Sequence, residues 1–262
     1  MGCGMEKIIS WNVASIRARM PALIRLLQEE KPDVVLLQEI KSTEETFPFM
    51  ELAGAGYHAF ISGQKGYNGV AILSREQLSL RHTDLPDFTG EKQARFVECG
   101  TGNRHYISVY VPNGNPTDKD PTDARLQYKL KWMDCLTRYI DALLKEGQSV
   151  ILGGDFNVIL RDTDVYNPEP YRTNALMVEP VRKALARLIQ TGLTDSIRLH
   201  DPSEHLYSFW DFQMGAWRRN WGMLLDNIFI SSDIVCSQSG ILKTVRGWEK
   251  TSDHAPVWGL FE

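Results

Sequence analysis

Three short apolar runs each end abruptly in an acid or an amide, and this feature constrains the fold most. The runs occupy residues 8–11, 34–37 and 150–152, and they lead into Asn12, into Gln38-Glu39 and into Gly153-Gly154-Asp155-Phe156-Asn157. Short, largely apolar runs of this kind are typical of strands that are buried on both faces. Because ligands of open α/β sheets lie at the carboxyl ends of strands, we expect these polar side chains to meet around one site.

The segments between these runs alternate between helical and extended patterns. Apolar residues at helical spacing within 20–30 predict a helix, so residues 7–39 are predicted to be strand, helix, strand. Two further amphipathic helices are predicted over 126–145 and 178–191. Additional strands are predicted over 58–62, 69–74, 95–98, 105–111, 206–209, 225–230 and 257–261. A single α/β domain over residues 1–262, with two facing sheets, fits this mixture. The loops 112–121 and 162–171 are predicted to border a site.

Composition limits the class of protein. Hydrophobic residues make up 43% of the chain and charged residues 24%, as in ordinary globular proteins. No apolar run approaches the roughly 18 residues of a membrane span. The 4 cysteines lack the spacing of a zinc or redox motif, which favours a reducing compartment. The net charge of -4 does not favour a nucleic-acid partner, yet an acidic metal pocket can coexist with a basic rim. Candidates for that rim are Arg17, Lys41, Lys65, Arg95, Arg218 and Arg219.

Glu39 and the segment that carries Asp155 are candidate ligands of a hard cation, which prefers oxygen donors. The glycines Gly153 and Gly154 allow a tight backbone turn. Asp155 and Asn157 are two residues apart, so both can point the same way from an extended segment. The alternatives are an exposed glutamate that begins a loop and an Asx turn at a strand end.

His254 is the candidate for proton transfer or phosphate contact, because it follows Asp253 and precedes Pro256 shortly before the last predicted strand. Asp226 begins another predicted strand and is expected to hydrogen-bond the imidazole. Such a bond would fix the tautomer of His254 and raise its pKa. The alternative is a purely structural histidine.

In chain order, seven motifs resemble those of the exonuclease III family, which includes the class II abasic-site endonucleases. The motifs are Trp11-Asn12-Val13, Leu37 to Lys41, Gly66 to Ser74, Val109 to Gly114, Gly154 to Asn157, Leu225 to Ser231 and Ser252 to Pro256. As an ordered set they are specific for the endonuclease/exonuclease/phosphatase superfamily. The stretches 66–74 and 110–114 narrow the resemblance to its DNA-repair branch.

The resemblance implies a DNase I-like fold, a four-layered α/β sandwich of two facing mixed β-sheets flanked by helices. It also implies one Mg²⁺-dependent site, in which Mn²⁺ can substitute. By position, Glu39 would be the main metal ligand, supported by Asn12 and Asp253. Asp155 would orient or deprotonate the attacking water, and the pair His254–Asp226 would stabilise charge on the phosphate. Asn157 and Tyr110 would complete the catalytic set, and Asn113 would bind the scissile phosphate.

The resemblance further implies a DNA-binding surface and a sugar pocket. Lys41 would lie near the metal carboxylate and Tyr67 near the DNA backbone, with Arg17 and Arg95 as further phosphate contacts. Phe209, Met223, Leu225 and Trp221 would line an apolar slot that accepts a sugar without its base. The alternative for Phe209 and Trp221 is that they are core aromatics. Ala14, Met223 and Leu224 depart from the residues common in relatives, so the balance of activities can differ.

The implied function is a DNA repair phosphodiesterase that cleaves 5′ to abasic sites in double-stranded DNA. Activity on damaged 3′ ends, as a 3′–5′ exonuclease or 3′-phosphatase, is expected alongside. We expect a bacterial-type enzyme of the cytoplasm and nucleoid that acts as a monomer without a membrane. The alternatives are a non-specific deoxyribonuclease or other phosphoesterase of the superfamily, and a DNA-binding module without catalysis.

Overall fold

The computed structural model describes residues 4–115 and 124–262. Six of its strands form a first sheet: β1 (Glu6–Asn12), β2 (Val34–Gln38), β3 (His58–Ser62), β4 (Val70–Ser74), β11 (Cys236–Ile241) and β12 (Val257–Phe261). Their order across the sheet is β11-β12-β1-β2-β4-β3. The pair β1–β2 is parallel and the other pairs are antiparallel, so the sheet is mixed.

A second mixed sheet contains β5 (Ser79–His82), β6 (Phe96–Thr101), β7 (Arg104–Tyr110), β8 (Ser149–Asp155), β9 (Leu193–Asp195) and β10 (Asp226–Ser231). Their order is β5-β6-β7-β8-β10-β9, and only β7–β8 is parallel. The parallel pairs place Asn12 beside Gln38 in one sheet and Tyr110 beside Asp155 in the other. Each sheet therefore presents a set of polar strand ends.

Seven helices accompany the sheets in the described part of the chain. They are α1 (Ile16–Glu30), α2 (Phe49–Gly54), α3 (Ala124–Lys145), α4 (Glu179–Gln190), α5 (Ser196–His200), α6 (Ala216–Arg219) and α7 (Lys243–Arg246). Single 3-10 turns occur at Glu44–Thr46, Asp162–Asp164 and Glu169–Tyr171. The apolar face of α1 packs on the first sheet, and α3 and α4 pack on the second. A third buried cluster lies between the sheets, so the predicted four-layered sandwich is confirmed.

The inner faces of the sheets become polar toward the carboxyl ends of the central strands. Gln38 donates hydrogen bonds to Ser10 (3.2 Å) and Ser108 (3.0 Å), which joins the two sheets through buried side chains. A Cβ at Gly153 would lie only 2.5 Å from Leu36 Cδ1 of the facing sheet. The absence of a side chain therefore lets β8 approach the first sheet just before Asp155.

The predicted strand 206–209 is wrong. Within this segment, Phe209 forms isolated bridges with Met223 and His254, because Ser208 and Phe209 both donate their N–H groups to the Met223 carbonyl. The sequence also failed to indicate β5, β9 and β11, which lie at sheet edges and lack a regular apolar alternation. Among the described residues, no helix combines the length and the apolar character needed to cross a membrane.

Candidate active site

The ends of β1, β2 and β8 meet, as their sequences predict. The Asn12 amide nitrogen donates to Glu39 Oε1 (3.0 Å) and to Asp155 Oδ2 (2.9 Å). Asn12 and Asp155 are buried, whereas 19% of the Glu39 side chain is exposed. One amide thus holds a carboxylate from each sheet, and the Glu39 end of this arrangement is open to a ligand.

The backbone around the site is held in left-handed conformations that side chains other than glycine adopt rarely. Ala14 (φ 47°), Glu39 (φ 50°), Lys41 (φ 50°) and Asn157 (φ 50°) all show it. Local side chains hold two of them: Asn12 Oδ1 accepts from the Ala14 N–H, and Asp155 Oδ1 accepts from the Asn157 N–H. The Asx turn considered for Asp155 is thus present within the site, and strain of this kind concentrates at functional sites.

Glu39 is surrounded by donors. Lys41 Nζ lies 2.8 Å from Glu39 Oε2, and the Tyr110 hydroxyl donates to Oε1 at 2.8 Å. Burial opposes ionisation, but hydrogen bonds from Lys41 and Asn12 outweigh it and lower the pKa of Glu39. Burial, together with the charge of Glu39, holds the pKa of Tyr110 well above its usual range. Glu39 is therefore an anion at neutral pH, and Tyr110 remains a neutral donor.

His254 and Asp226 form the expected pair, with His254 Nδ1 2.8 Å from Asp226 Oδ2. Burial alone would lower the pKa of His254, but the charge and hydrogen bond of Asp226 raise it to about 10. Ser208, which the sequence did not indicate, donates to the same Asp226 oxygen (2.6 Å) and accepts from the Asp226 N–H (3.0 Å). The imidazole is thus held as a cation by an anchored carboxylate.

The other imidazole nitrogen, His254 Nε2, faces Asp155 Oδ2 at 3.8 Å. Burial and the nearby charge of Asp226 raise the pKa of Asp155 to about 7. Asp155 therefore gains and loses a proton near neutrality while His254 stays protonated beside it. Such a pair can accept a proton from water at one group and stabilise negative charge at the other.

The donor set suits a hard divalent cation. Glu39 is an ionised and partly exposed carboxylate, and Asp155 provides a second carboxylate on the other side of the Asn12 amide. Ligand atoms of Asp155, Asp226 and His254 also lie within 4.8 Å of one another. We favour the Glu39 side, because Asp226 and His254 already bond each other. The Asn12 amide turns its nitrogen toward Glu39, so its predicted role as a ligand stays a prediction.

Two amides form the wall of the site next to Tyr110. Asn113 donates its side-chain N–H to Asn157 Oδ1 (3.3 Å), and Asn157 donates to the Val111 carbonyl (3.0 Å). Asn157 is buried, whereas Asn113 is exposed and open to a ligand. The structure therefore brings together the predicted catalytic residues, while their individual roles remain predictions.

Two of the predicted DNA-contacting residues lie beside the site. Tyr67, which is 62% exposed, and Arg95 line an open groove of about 580 Å³ that extends from Asn113. Arg95 donates to the Tyr110 carbonyl (3.1 Å), and Arg17 donates to the Thr46 carbonyl (2.9 Å). In the predicted rim loop 112–121, residues 116–121 lie outside the described residues.

Three of the four residues predicted to line the sugar slot lie together. Met223 and Leu225 belong to one apolar cluster, and Phe209 packs against it with its ring 4.8 Å from that of His254. Trp221 packs against a neighbouring cluster, and its backbone N–H donates to the carbonyl of Ala216, the first residue of α6. There its ring stacks on Tyr166 at 5.3 Å. Residues that the sequence did not indicate complete the slot cluster, namely Ile159, Val165, Leu176 and Met177.

Comparison with known proteins agrees with this geometry. Residues 9–254 match the model of the endonuclease/exonuclease/phosphatase family. Exodeoxyribonuclease III of Haemophilus influenzae is 30% identical over 98% of this chain and 100% of its own length. An AP endonuclease from Archaeoglobus fulgidus has a TM-score of 0.91 at 31% identity and covers 98% of this chain and 100% of its own.

A 3′ phosphatase from Neisseria, solved with a product DNA hairpin, has a TM-score of 0.92 at 32% identity. It covers 98% of this chain and 99% of its own. The match to the family model and the full-length relatives point to the same group of enzymes. The chain therefore belongs to the endonuclease/exonuclease/phosphatase family, as a nuclease of its exonuclease III branch.

Proposed function

We propose that this nuclease is a metal-dependent DNA repair phosphodiesterase that cleaves 5′ to abasic sites and removes 3′-terminal phosphate or nucleotides. One observation carries the proposal. Asn12 holds Glu39 and Asp155 together across the two sheets, and the protonated pair His254–Asp226 faces Asp155. Glu39 provides an accessible anion, Asp155 a base with a pKa near neutrality, and His254 an acid, all within one site. Phosphodiester hydrolysis requires groups of these three kinds.

In the proposed reaction, Asp155 orients a water molecule and accepts its proton, since its pKa of about 7 suits a general base. His254 donates hydrogen bonds to the charge that develops on the phosphate. Tyr110 and Asn113 hold the phosphate oxygens, and Asn157 holds Asn113 in place through their 3.3 Å contact. We assign these roles from where each residue lies relative to Asp155.

Glu39 would hold Mg²⁺, with Asp253 and Asn12 as supporting ligands. Mn²⁺ could replace Mg²⁺, because it also prefers oxygen ligands. When bound, the ion supplies positive charge that neutralises the phosphate. Glu39 is ionised and partly exposed, as a ligand of such an ion must be. Lys41 would then contact the phosphate or the carboxylate from the rim.

The substrate is proposed to be duplex DNA whose abasic sugar enters the slot beside His254. Phe209, Met223 and Leu225 are apolar and offer no hydrogen bonds to a base, so a sugar without its base fits them best. Extruding such a sugar costs less than extruding a paired nucleotide. We further expect the enzyme to act as a monomer, with Tyr67, Arg17 and Arg95 along the DNA.

A 3′-terminal substrate is the second candidate. The Neisseria relative is described as a 3′ phosphatase bound to a DNA hairpin, and its fold matches over nearly the whole chain. Met223 is unbranched and flexible, so the slot can adapt to more than one terminal group. A non-specific deoxyribonuclease or a phosphoesterase of small substrates remains the alternative within the family.

Three labelled duplexes test these proposals: one with an internal abasic-site analogue, one with a 3′-phosphate, and one intact. Each is incubated with Mg²⁺, with Mn²⁺ or with a chelator, using wild type, Glu39→Gln and the control Glu45→Gln at an exposed position. We expect metal-dependent incision of the first duplex and phosphate release from the second. Glu39→Gln should lose both activities, whereas Glu45→Gln should keep them. Equal cutting of all three duplexes, or activity with chelator, would contradict the proposal.

A further inference from the structure

Lys129 is a buried cation directly behind the catalytic wall. It lies on α3 and is 0% exposed, although lysine is almost never buried completely without a partner. Among its contacts in the described part of the chain, no carboxylate lies within ion-pairing distance. A buried ammonium without a counterion is costly, so its location requires a specific reason.

Three backbone carbonyls satisfy the Lys129 ammonium. Its Nζ donates to the carbonyls of Asn113 (3.1 Å), Asn157 (2.6 Å) and Ala175 (2.9 Å). Burial lowers the pKa of Lys129 to about 7, with the charge of Asp155 opposing this shift. Three acceptors around one nitrogen nevertheless match the three N–H groups of the ammonium form. We therefore take the charged form as the one that the geometry selects.

The three carbonyls come from three separate segments that border the active site. Asn113 follows β7, Asn157 follows β8, and Ala175 precedes Leu176 and Met177 of the slot cluster. Asn115 joins two of these segments again, because its side-chain oxygen accepts from the Ala175 N–H (3.0 Å). A Cβ at Gly114 would lie 2.7 Å from the Lys129 side chain, so a glycine leaves room for the lysine stem.

The peptide of Asn157 is thus held at both ends. Its N–H donates to Asp155 Oδ1 (2.9 Å), and its carbonyl accepts from Lys129. The left-handed conformation of Asn157 makes this restraint necessary, because the backbone would otherwise relax. Through the contact between Asn157 and Asn113, the same restraint extends to the exposed amide that faces a ligand.

From this geometry we infer that Lys129 is a positioning residue for the reaction, which orients Asn113 and Asn157 by holding their carbonyls and does not itself touch substrate. The inference rests on the proposed function. It predicts that loss of Lys129 lowers the rate of turnover through Asn113 and Asn157. DNA binding should change little, and the loss of rate should not be explained by unfolding. Loss of a group that orients catalytic residues typically costs about 10- to 100-fold in activity.

A double-mutant cycle tests the inference. The variants are Lys129→Met, which keeps the length of the stem, Asn157→Ala, and the two combined. Lys131→Met on the exposed side of the same helix is the matched control. Single-turnover rates and KM are measured on the 3′-phosphate and abasic duplexes at a temperature where every variant gives the circular dichroism of wild type. If Lys129→Met does not fold, Lys129→Arg takes its place in the cycle, since it keeps the charge but cannot give three bonds from one atom.

We expect Lys129→Met to lower the rate about 10- to 100-fold with KM changed less than about 3-fold, and Lys131→Met to be unchanged. Added to Asn157→Ala, the Lys129 change should cost clearly less than it costs in wild type, because part of its effect acts through Asn157. Fully additive losses, or a Lys129 variant as active as the control, would overturn the inference. An inactive wild type would instead overturn the proposed function, which separates the two failures.

Discussion

Asn12 and Asp155 belong to different sheets and are joined by a hydrogen bond of 2.9 Å from the Asn12 amide to the Asp155 carboxylate. Both side chains are buried, and the same amide nitrogen reaches Glu39. The contact therefore makes the catalytic geometry depend on how the two sheets are docked.

Asn12→Ala should lower the single-turnover rate by about 10²-fold, because two carboxylates lose the donor that orients them. It should also lower the free energy of unfolding by about 1–3 kcal/mol, since a buried carboxylate loses a hydrogen bond. Urea unfolding and incision assays measure the two effects. Asn103→Ala is the matched control, because Asn103 bonds Ser149 at the opposite end of the second sheet. Equal activity of the two variants would contradict the role of Asn12.

The rate should depend on pH through Asp155 and His254. Burial and the charge of Asp226 raise the pKa of Asp155 to about 7, so the base becomes active as pH rises through that value. Burial lowers the pKa of His254, but Asp226 has the stronger opposite effect and raises it to about 10. His254 therefore loses its proton, and with it its role as the acid, as the pH rises through about 10. A bell-shaped profile between these limits is expected in single-turnover assays at saturating Mg²⁺.

Asp226→Asn should move the alkaline limb of that profile to lower pH. The substitution removes the main influence that raises the pKa of His254, while the burial that lowers it remains. The acid limb should also fall, because the charge of Asp226 raises the pKa of Asp155. Asp233→Asn at the far end of the second sheet serves as control. An unmoved alkaline limb would show that His254 is not the acid.

Phe209→Ala should reduce incision at abasic sites by about 10-fold or more, since the ring that packs against His254 also borders the slot. Trp221→Ala should change the rate less than about 3-fold, because Trp221 reaches the slot cluster only through Tyr166, which packs against both clusters. The two variants are compared on the abasic and 3′-phosphate duplexes. A larger loss for Trp221→Ala would restore this residue to the sugar pocket.

Glu39→Gln should weaken Mg²⁺ binding at least about 10-fold while the protein stays folded, because an anionic ligand becomes a neutral amide. Isothermal titration calorimetry without DNA measures this affinity directly. Asp226→Asn should leave it nearly unchanged, since Asp226 bonds His254 and Ser208 instead. The reverse result would place the ion among Asp155, Asp226 and His254.

Some site residues could be predicted from the sequence because they stand at the end of a strand. For these residues, the direction of the strand determines at which edge of the sheet the side chain lies. Asn12 ends β1 and Glu39 follows its parallel neighbour β2, whereas Asp155 ends β8, which runs parallel to β7 in the facing sheet. The pairing of His254 with Asp226 was also expected from residue type, and the structure has it at 2.8 Å.

Other site residues could not be predicted, because their roles depend on contacts between distant segments. Lys129 lies on a helix whose other polar positions are mostly exposed, so its burial shows only once α3 is packed. Ser208 lies in a segment that reads as a strand, yet it anchors Asp226 through its hydroxyl. Position along the chain predicts Trp221 in the slot, whereas the structure packs it in the neighbouring cluster, in contact with the slot cluster through Tyr166.

Gly153 faces the first sheet at the point where β8 approaches that sheet closely, just before the active site. A methyl group there would meet the end of the Leu36 side chain and would lie 3.2 Å from Ser10 Cβ, so this part of the interior would have to rearrange. Because the hydrogen bond between Asn12 and Asp155 crosses the two sheets close to this point, we expect activity to be more sensitive than the fold to such a change.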